Sequence, residues 1–289
     1  MKEQKYILKN PDTFVLKDIF ECGQCFRWNL EANGSYTGVI KNGVINVKQD
    51  SNDFIFSGMC EGNLEEIVTD YFDLNRDYKN IKKQLSKIDE NLKKSIEYGK
   101  GIRILNQDLW ETIISFIISA NNNIPRIKGI IERLSKNYGD EIIWKDKKYY
   151  TFPTSKQLEN VTVEEYRNLG LGFRDIRLYE TTKKVLNKEI DLKELENEET
   201  QIVREKLLTL SGVGPKVADC ILLFSTLKRF EVFPIDVWVR RVMNELYIKN
   251  IDENKVSKKQ IMNIANEKFG NMAGIAQQYL FYWKREEAI

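Results

Sequence analysis

The segment at residues 212–215 constrains the fold of this chain more than any other part of the sequence. Two glycines flank a valine and a proline follows, so that Gly212, Val213, Gly214 and Pro215 separate two apolar helical patterns. Glycine permits positive φ and leaves backbone N–H groups uncovered, and proline is well tolerated in the first turn of a helix. The segment predicts a helix-hairpin-helix whose turn can hold a phosphate at the positive end of the second helix. An ordinary tight connection between two helices is the alternative interpretation.

From Gly101 to Ile289 the sequence shows only helical signals. Asp108 can cap a helix whose next residues, LWETIISFIIS, are apolar on nearly every side, which predicts a helix buried inside a bundle. That helix ends at the asparagines 121–123, and Pro125 opens the next one. Further helices are predicted at about 162–168, 174–188, 201–209, 216–227, 236–248, 257–268 and 271–284. We therefore expect an all-helical domain over residues 101–289.

The N-terminal part of the chain carries the signals of antiparallel strands. Asn42-Gly43 separates SYTGVI from VINVKQ, which are both alternating and β-branched, and DFIFSG follows after a short polar turn. Beyond Leu64 the apolar residues recur with a helical period, and a second amphipathic helix runs from about Tyr78 to Tyr98. We expect an α+β domain with an antiparallel sheet over residues 1–100.

The chain contains no histidine, which removes the commonest general base, metal ligand and pH switch. Of the four cysteines, Cys22 and Cys25 are close in sequence, whereas Cys60 and Cys220 are isolated. Without a second C-x-x-C pair, no metal site is predicted. No apolar run is long enough to cross a membrane and the first residues do not resemble a signal peptide, so we expect a cytoplasmic protein. The formal net charge of +2 does not by itself indicate a nucleic-acid-binding protein.

Lys216 lies in the first turn of the helix that follows the hairpin. A cation there meets the unfavourable end of the helix dipole, and apolar neighbours further disfavour its charged form. We expect its amine to lose a proton unusually easily, which is how a lysine becomes a nucleophile at neutral pH. A surface lysine that neutralises a phosphate is the alternative.

Asp236 precedes the segment VWVRRVMNELY, so it can serve as an N-cap carboxylate that is fixed at the start of a helix. N-cap aspartates are common, and a purely structural role is the alternative. In a chain without histidine, however, a fixed carboxylate beside a helix-terminal lysine is the natural acid–base pair. Lys216 and Asp236 are therefore the predicted catalytic couple.

Two motifs, SGVGPKVADC at 211–220 and PIDVW at 234–238, closely resemble the helix-hairpin-helix superfamily of DNA glycosylases. Five further blocks are similar to those of 8-oxoguanine DNA glycosylase/AP lyases: GQCFRW at 23–28, GIRILNQD at 101–108, SFIISANNNIPRI at 115–127, LGLGFR at 169–174 and GIAQQYLF at 274–281. The resemblance implies that Lys216 attacks C1′ of the damaged nucleotide, expels the base and forms a Schiff base that leads to β-elimination. It implies that Asp236 activates this lysine or stabilises positive charge on the sugar.

The resemblance also implies a pocket that reads a base flipped out of the duplex. The carbonyl of Gly23 would accept the N7–H that distinguishes 8-oxoguanine from guanine, and Gln277 would contact the Watson–Crick edge. Phe281 would stack on one face of the base, and it shares a helix face with Gln277 because the two are four residues apart. Cys220, four residues beyond Lys216, would close the opposite side. Without the resemblance, Phe281 and Cys220 are of types usually found in cores.

Other positions match residues that contact the rest of the DNA. Asn121, Arg126 and Arg174 match residues that fill the vacated position and hydrogen-bond the orphaned cytosine, whose acceptors suit amide and guanidinium donors. Phe173 matches a wedge residue that is tyrosine in eukaryotic members, and Trp238 matches a histidine that contacts a phosphate near the lesion. The backbone of the hairpin, at Gly212, Val213 and Gly214, would grip the DNA without reading its sequence.

The expected partner is duplex DNA containing 8-oxoguanine, bound by a monomer at what we expect to be a bacterial nucleoid. No cysteine follows Cys220, so the iron–sulfur loop of several relatives is missing and no cofactor is expected. The sequence is compatible with a structural cation that is held by backbone carbonyls of the hairpin. Two rival functions remain at this point: a glycosylase of the same fold for another damaged base, and a DNA-binding module without catalysis.

Overall fold

The computed structural model describes residues 1–250, 252 and 255–287, and it combines an antiparallel sheet with a large group of helices. The strands are β1 (Lys2–Leu8), β2 (Trp28–Leu30), β3 (Tyr36–Ile40), β4 (Gly43–Asp50), β5 (Asp53–Cys60), β6 (Glu141–Trp144) and β7 (Lys147–Tyr150). The helices are α1 (Leu16–Phe20), α2 (Leu64–Tyr71), α3 (Tyr78–Leu85), α4 (Glu90–Tyr98), α5 (Leu109–Ser119), α6 (Ile124–Tyr138), α7 (Val163–Asn168), α8 (Asp175–Leu186), α9 (Thr200–Leu208), α10 (Pro215–Phe224), α11 (Val237–Met243), α12 (Lys258–Phe269) and α13 (Ala273–Glu287). The predicted α+β class with a helical C-terminal part is confirmed.

The N-terminal sheet has the strand order β1-β5-β4-β3-β2, and every neighbouring pair in it is antiparallel. The sequence identified β3, β4 and β5, and the turn at Lys41 and Asn42 joins β3 to β4 because Ile40 pairs with Gly43. It missed β1 and β2. Strand β1 lies at the sheet edge and is rich in polar side chains, and β2 spans three residues, so neither produces the apolar alternation of a half-buried strand.

The prediction of helices alone beyond Gly101 is wrong, because β6 and β7 form a second, two-stranded antiparallel sheet. Its turn uses Lys145 and Asp146, which both have positive φ. Ile142 and Trp144 of β6 are buried in one cluster with Val39 and Val44 of the first sheet. The hairpin is therefore held by packing against a surface 100 residues away in the sequence, which a local pattern does not reveal.

The helical predictions beyond residue 160 agree with the structure to within three residues at each end, and the segment Asn244–Ile248 of the predicted helix 236–248 is a π-helix. The single predicted helix from Tyr78 to Tyr98 is instead two helices, α3 and α4, and Asp89 caps the second by accepting the Leu92 N–H at 2.9 Å. Residues 251, 253, 254, 288 and 289 of the predicted domain 101–289 lie outside the described residues.

Besides the small cluster beneath β6, two larger apolar clusters form the interior. The smaller lies between the N-terminal sheet and α1 and α2, and the larger is built around α5, of which nine of eleven residues are buried as expected. Leu85, Leu92 and Ile96 of α3 and α4 belong to the larger cluster, so these helices pack with the helical part of the chain. The division of the chain at residue 100 stays a prediction. None of the helices that the structure describes is both long and apolar enough to cross a bilayer.

Candidate active site

The predicted helix-hairpin-helix is present as α9, the turn at 209–214 and α10. Gly212 has a φ of +84°, and a Cβ at this position would lie 2.8 Å from Cδ of Arg177, so only glycine fits there. Gly214 differs from the expectation because its φ is −93°, although a Cβ there would meet no atom within 4 Å. The N-terminus of α10 is therefore accessible at Gly214, and a phosphate site requires such access. Val213 is buried and anchors the turn.

Lys216 is the second residue of α10, and its side chain enters a cleft of about 860 Å³. Its Nζ lies 5.5 Å from the centroid of the Phe116 ring, which comes from the buried helix α5. Asp236 lines the same cleft. It is the N-cap of α11, as predicted, and its Oδ1 accepts the N–H of Val239 at 2.7 Å. The hydrogen bond fixes the carboxylate at the wall of the cleft that holds the amine.

The expected loss of a proton from Lys216 is wrong for the free protein. The pKa of Lys216 is raised above its ordinary value: negative charge on Cys220 is the largest cause, burial opposes it, and the carboxylate of Asp236 adds to the rise. Burial also raises the pKa of the Cys220 thiol. The pKa of Lys216 thus depends mainly on its interaction with Cys220, and the carboxylate of Asp236 makes a smaller contribution in the same direction.

The four predicted base-contacting residues line one recess. Gly23, Cys220, Gln277 and Phe281 surround a space of about 50 Å³ beside Lys216, at the inner end of the cleft. A Cβ on Gly23 would lie 3.6 Å from Cε1 of Phe281, and the φ of Gly23 is +87°. Gln277 is 5% exposed, and its Oε1 has no hydrogen-bond partner among the described residues. A buried amide oxygen without a donor is costly, so its position favours a ligand that donates a hydrogen bond.

The recess has further walls that sequence reasoning missed. These are Cys22, Phe116, Phe224, Pro234, Val239 and Gln278. Four of the six are apolar, and in the sequence they carry no signal beyond that of core residues. Phe116 and Phe224 stack on each other with ring centroids 5.7 Å apart. Together they give the recess the flat apolar surface that an aromatic ligand needs.

The cleft also has a basic rim on the side of α11. Trp238, Arg240, Arg241 and Lys258 line it, and the sequence analysis had selected Trp238 alone. In the described part of the chain, the Nε1 of Trp238 is buried without an acceptor. Three cations and an indole N–H donor form a surface that suits an anion. In nucleic-acid-binding proteins, the anion bound by such side chains is commonly a backbone phosphate.

Phe173 stands at a second edge of the molecule, outside the cleft lining. Its ring is 52% exposed, and the guanidinium carbons of Arg174 and Arg177 lie 4.2 and 4.9 Å from its centroid. The arrangement suits insertion between stacked bases, with the cations facing the backbone.

Arg174 was expected to donate hydrogen bonds to the orphaned cytosine, but its donors are already used within the protein. Its side chain is 2% exposed and donates to the carbonyls of Ala120, Asn121 and Leu171 at 2.6–3.1 Å. Burial is the largest cause of its lowered pKa, followed by repulsion from Arg126 and Arg177. Arg174 therefore holds the turn at Ala120 and Asn121, here called the Asn121 turn, in place. A contact between Arg174 and a base would require the loss of some of these hydrogen bonds.

Asn121 lies in the left-handed region with a φ of +51° and lines the cleft. Asn123 caps α6 by accepting the Arg126 N–H at 3.0 Å, and Arg126 itself is exposed, with a long contact of 3.4 Å to the carbonyl of Gly170. The structure thus brings Asn121 into the cleft and leaves Arg126 outside the cleft lining, while Arg174 supports the backbone of Ala120 and Asn121.

No group of three or more Cys, Asp or Glu side chains within the described ranges is arranged to hold a metal ion. The thiols of Cys22 and Cys25 are free and buried. Burial raises the pKa of Cys22 to about 11, so this thiol is neutral at physiological pH and has little of the thiolate character that metal binding requires.

Comparison with known proteins agrees with this geometry. Residues 6–113 match the model of the 8-oxoguanine DNA glycosylase N-terminal domain, and residues 114–270 match that of the HhH-GPD superfamily base excision DNA repair proteins. The structure of MBOgg1 in complex with a low-affinity DNA ligand is 44% identical, with a TM-score of 0.93 and full coverage of both chains. The Clostridium acetobutylicum 8-oxoguanine glycosylase/lyase, in complex with duplex DNA containing cytosine opposite 8-oxoG, is 43% identical, with a TM-score of 0.93 over 100% of this chain and 98% of that one.

A more distant relative spans nearly the same length. The N-glycosylase/DNA lyase of Saccharomyces cerevisiae is 31% identical over 320 residues, which cover 94% of this chain and 84% of the yeast protein. The fold, the hairpin lysine and the N-cap aspartate thus define a helix-hairpin-helix base excision DNA repair protein. Within that superfamily, the chain belongs to the 8-oxoguanine DNA glycosylase/AP lyase family.

Proposed function

We propose that this protein excises 8-oxoguanine from duplex DNA and then nicks the strand as an AP lyase. The observation that carries the proposal is the position of Lys216 between Asp236 and a recess lined by Gly23, Gln277 and Phe281. An amine, an anion and a recess with an aromatic wall and polar groups are the parts that amine-mediated base excision requires.

The amine of Lys216 forms a bond to C1′ of the flipped nucleotide while the bond between C1′ and the base nitrogen breaks. The departing base takes the bonding electrons and a proton, and opening of the sugar ring gives a Schiff base between Lys216 and C1′. Loss of a proton from C2′ then expels the 3′ phosphate and nicks the strand. Water hydrolyses the imine and returns the free amine.

Asp236 has two roles in this scheme. Its carboxylate stabilises the positive charge that develops on the sugar as the base departs, and its fixed position means that no reorganisation is needed at that moment. It also adds to the rise in the pKa of Lys216 in the free protein, of which Cys220 is the largest cause. The proton must therefore leave after DNA binds, and filling of the recess by the base excludes water and disfavours the charged amine.

Recognition of the base is assigned to the walls of the recess. The Gly23 carbonyl accepts the N7–H of 8-oxoguanine, and Gln277 meets the Watson–Crick edge. Phe281 stacks against one face of the base and Cys220 closes the other. The proposal is supported by the unpartnered Oε1 of Gln277 and by the closeness of Gly23 to the Phe281 ring.

The rest of the duplex is held by residues outside the recess. Phe173 inserts beside the vacated position, and Asn121 with Arg126 and Arg174 faces the orphaned cytosine, with Arg174 acting first as the support of the Asn121 turn. The N–H groups of the hairpin at 212–214 and the Trp238 side chain take phosphates on either side of the lesion.

We propose that the protein acts as a monomer on the bacterial nucleoid and needs no redox cofactor. A cation bound by carbonyls of the hairpin would strengthen the grip on DNA and take no part in the chemistry.

The test is a base-release assay on duplexes that differ in one lesion. We expect release of 8-oxoguanine opposite cytosine to be faster than release of 3-methyladenine or uracil by at least 10²-fold. Equal or faster release of an alkylated base would replace the proposal with a different glycosylase. Tight lesion binding with no release of any base would favour a DNA-binding module.

A further inference from the structure

The turn at residues 21–24 is held at its carbonyl oxygens. Nη2 of Arg285 donates to the carbonyl of Glu21, Nε2 of Gln278 donates to the carbonyl of Cys22 at 2.5 Å, and Nε2 of Gln107 donates to the carbonyl of Gln24 at 2.8 Å. Within the residues that the structure describes, no N–H or O–H group donates to the carbonyl between them, that of Gly23. One free acceptor therefore lies in a run of four carbonyls of which three are fixed.

Two of the three donors come from α13, which also carries the base-contacting Gln277 and Phe281. Gln278 is 2% exposed, and the Arg285 guanidinium carbon lies 5.4 Å from the centroid of the Phe281 ring. The helix that supplies the stacking ring and the amide thus also fixes the backbone that supplies the carbonyl. The distances between the Gly23 carbonyl, Gln277 and Phe281 are therefore all set by helix α13.

The fit between turn and helix is close. A Cβ on Gly23 would lie 3.3 Å from Nη1 of Arg285, and the φ of +87° places Gly23 in the left-handed region. A turn in this conformation has few means of its own to keep one carbonyl aimed in one direction. External hydrogen bonds from Gln278 and Arg285 provide that restraint.

We propose that Gln278 and Arg285 are positioning residues that aim the Gly23 carbonyl at the base, and so set selectivity for 8-oxoguanine. This inference rests on the proposed function, because it assumes that the carbonyl reads N7–H. Neither side chain needs to touch the base. Gln278 lines the recess, and it donates to the carbonyl of Cys22, 256 residues away in the sequence.

The experiment compares two substrates that differ in whether a base is present. A duplex with 8-oxoguanine opposite cytosine requires the Gly23 carbonyl, whereas nicking at a preformed abasic site requires Lys216 and no base contact. We expect Gln278→Met, which keeps side-chain length but cannot donate, to slow single-turnover release of 8-oxoguanine at least tenfold. Nicking of the abasic duplex should stay within twofold of the wild-type rate.

The matched control is Gln4→Met, since Gln4 also donates to a backbone carbonyl, that of Gly62 at 2.8 Å, in a part of the sheet outside the cleft. It should change neither rate. If Gln278→Met slows both reactions equally, or slows neither, the positioning role is refuted. Failure of the wild-type protein to release 8-oxoguanine would instead refute the proposed function.

A second variant, Arg285→Met, tests the same proposal if Gln278→Met does not fold. Arg285→Met removes the bond to Glu21 together with a positive charge near the DNA, so it should weaken binding of both duplexes. At saturating protein, however, the rate on 8-oxoguanine should fall at least fivefold more than the rate on the abasic duplex. Equal loss on both substrates at saturation would contradict the proposal.

Discussion

The substitution Asp236→Asn separates the charge of this residue from its role as a helix cap. Asparagine keeps an oxygen that can accept the Val239 N–H, now at 2.7 Å, and it is as good an N-cap as aspartate. We therefore expect the free energy of unfolding to change by less than about 0.5 kcal/mol. Any large effect on base release must then come from the lost negative charge.

The size of that effect follows from Coulomb's law. Two unit charges about 4 Å apart interact by about 4 kcal/mol at an effective dielectric constant of about 20, and a partial charge on the sugar gains about half of that or more. A loss of about 2–4 kcal/mol of transition-state stabilisation slows the step by about 30- to 1,000-fold. The rate of single-turnover release of 8-oxoguanine at pH 8 should therefore be lower for Asp236→Asn than for wild type by a factor within this range.

The pH dependence gives an independent check. Base release needs the neutral amine, so the rate rises with pH through the pKa of Lys216, which Asp236 helps to raise. Without this carboxylate the pKa falls, a larger fraction of the amine is neutral at acid pH, and the rising limb moves to lower pH. The ratio of wild-type to Asp236→Asn rates should accordingly stay constant while the pH is below both pKa values, and increase as the pH passes the lower pKa of the variant. A ratio that decreases with rising pH would refute the assigned interaction.

Three further predictions test other parts of the structure. Phe173→Ala removes an exposed ring, so it should leave folding intact but slow base release at least tenfold, whereas Phe173→Tyr should stay within twofold; equal rates for all three would exclude a wedge. Asn121→Gly keeps a backbone that already has a φ of +51°, and should reduce discrimination between cytosine and adenine opposite the lesion without lowering Tm; unchanged discrimination would contradict the assignment. Burial lowers the pKa of Lys228 from 10.5 to about 8, so the unfolded chain binds more protons between these pH values and stability rises with pH. In urea unfolding, wild type should gain about 2 kcal/mol relative to Lys228→Met between pH 7 and 9.5, and a constant difference would show that the charge is not buried.

The parts of the fold that were predictable from the sequence are those stabilised locally. Helix α5 was found because its apolar residues surround the axis and Asp108 caps it, and the hairpin was found because glycine and proline have strict backbone preferences. The strands β6 and β7 were missed because distant packing stabilises them. For β6 the decisive contact is burial of Trp144 against the first sheet, which no window of the sequence contains.

The same distinction applies to the site. Asp236 was identified as a cap from its own neighbours, but the pKa of Lys216 was predicted in the wrong direction. The local sequence shows the helix dipole and the apolar surroundings, whereas the raising charges come from Cys220, one turn along, and from Asp236 on another helix. Gln278 was passed over because its partner carbonyl belongs to Cys22, at the other end of the chain.

Covalent trapping tests the central claim most directly. Protein should be mixed with a duplex containing 8-oxoguanine in the presence of borohydride, which reduces an imine to a stable amine, and the cross-linked peptide should then be mapped by mass spectrometry. We predict that wild type is trapped through Lys216 and that Lys216→Gln gives no trapped species, although it still binds the duplex. Trapping of Lys216→Gln to the wild-type extent, or a cross-link at any other amine of the wild-type protein, would contradict the account.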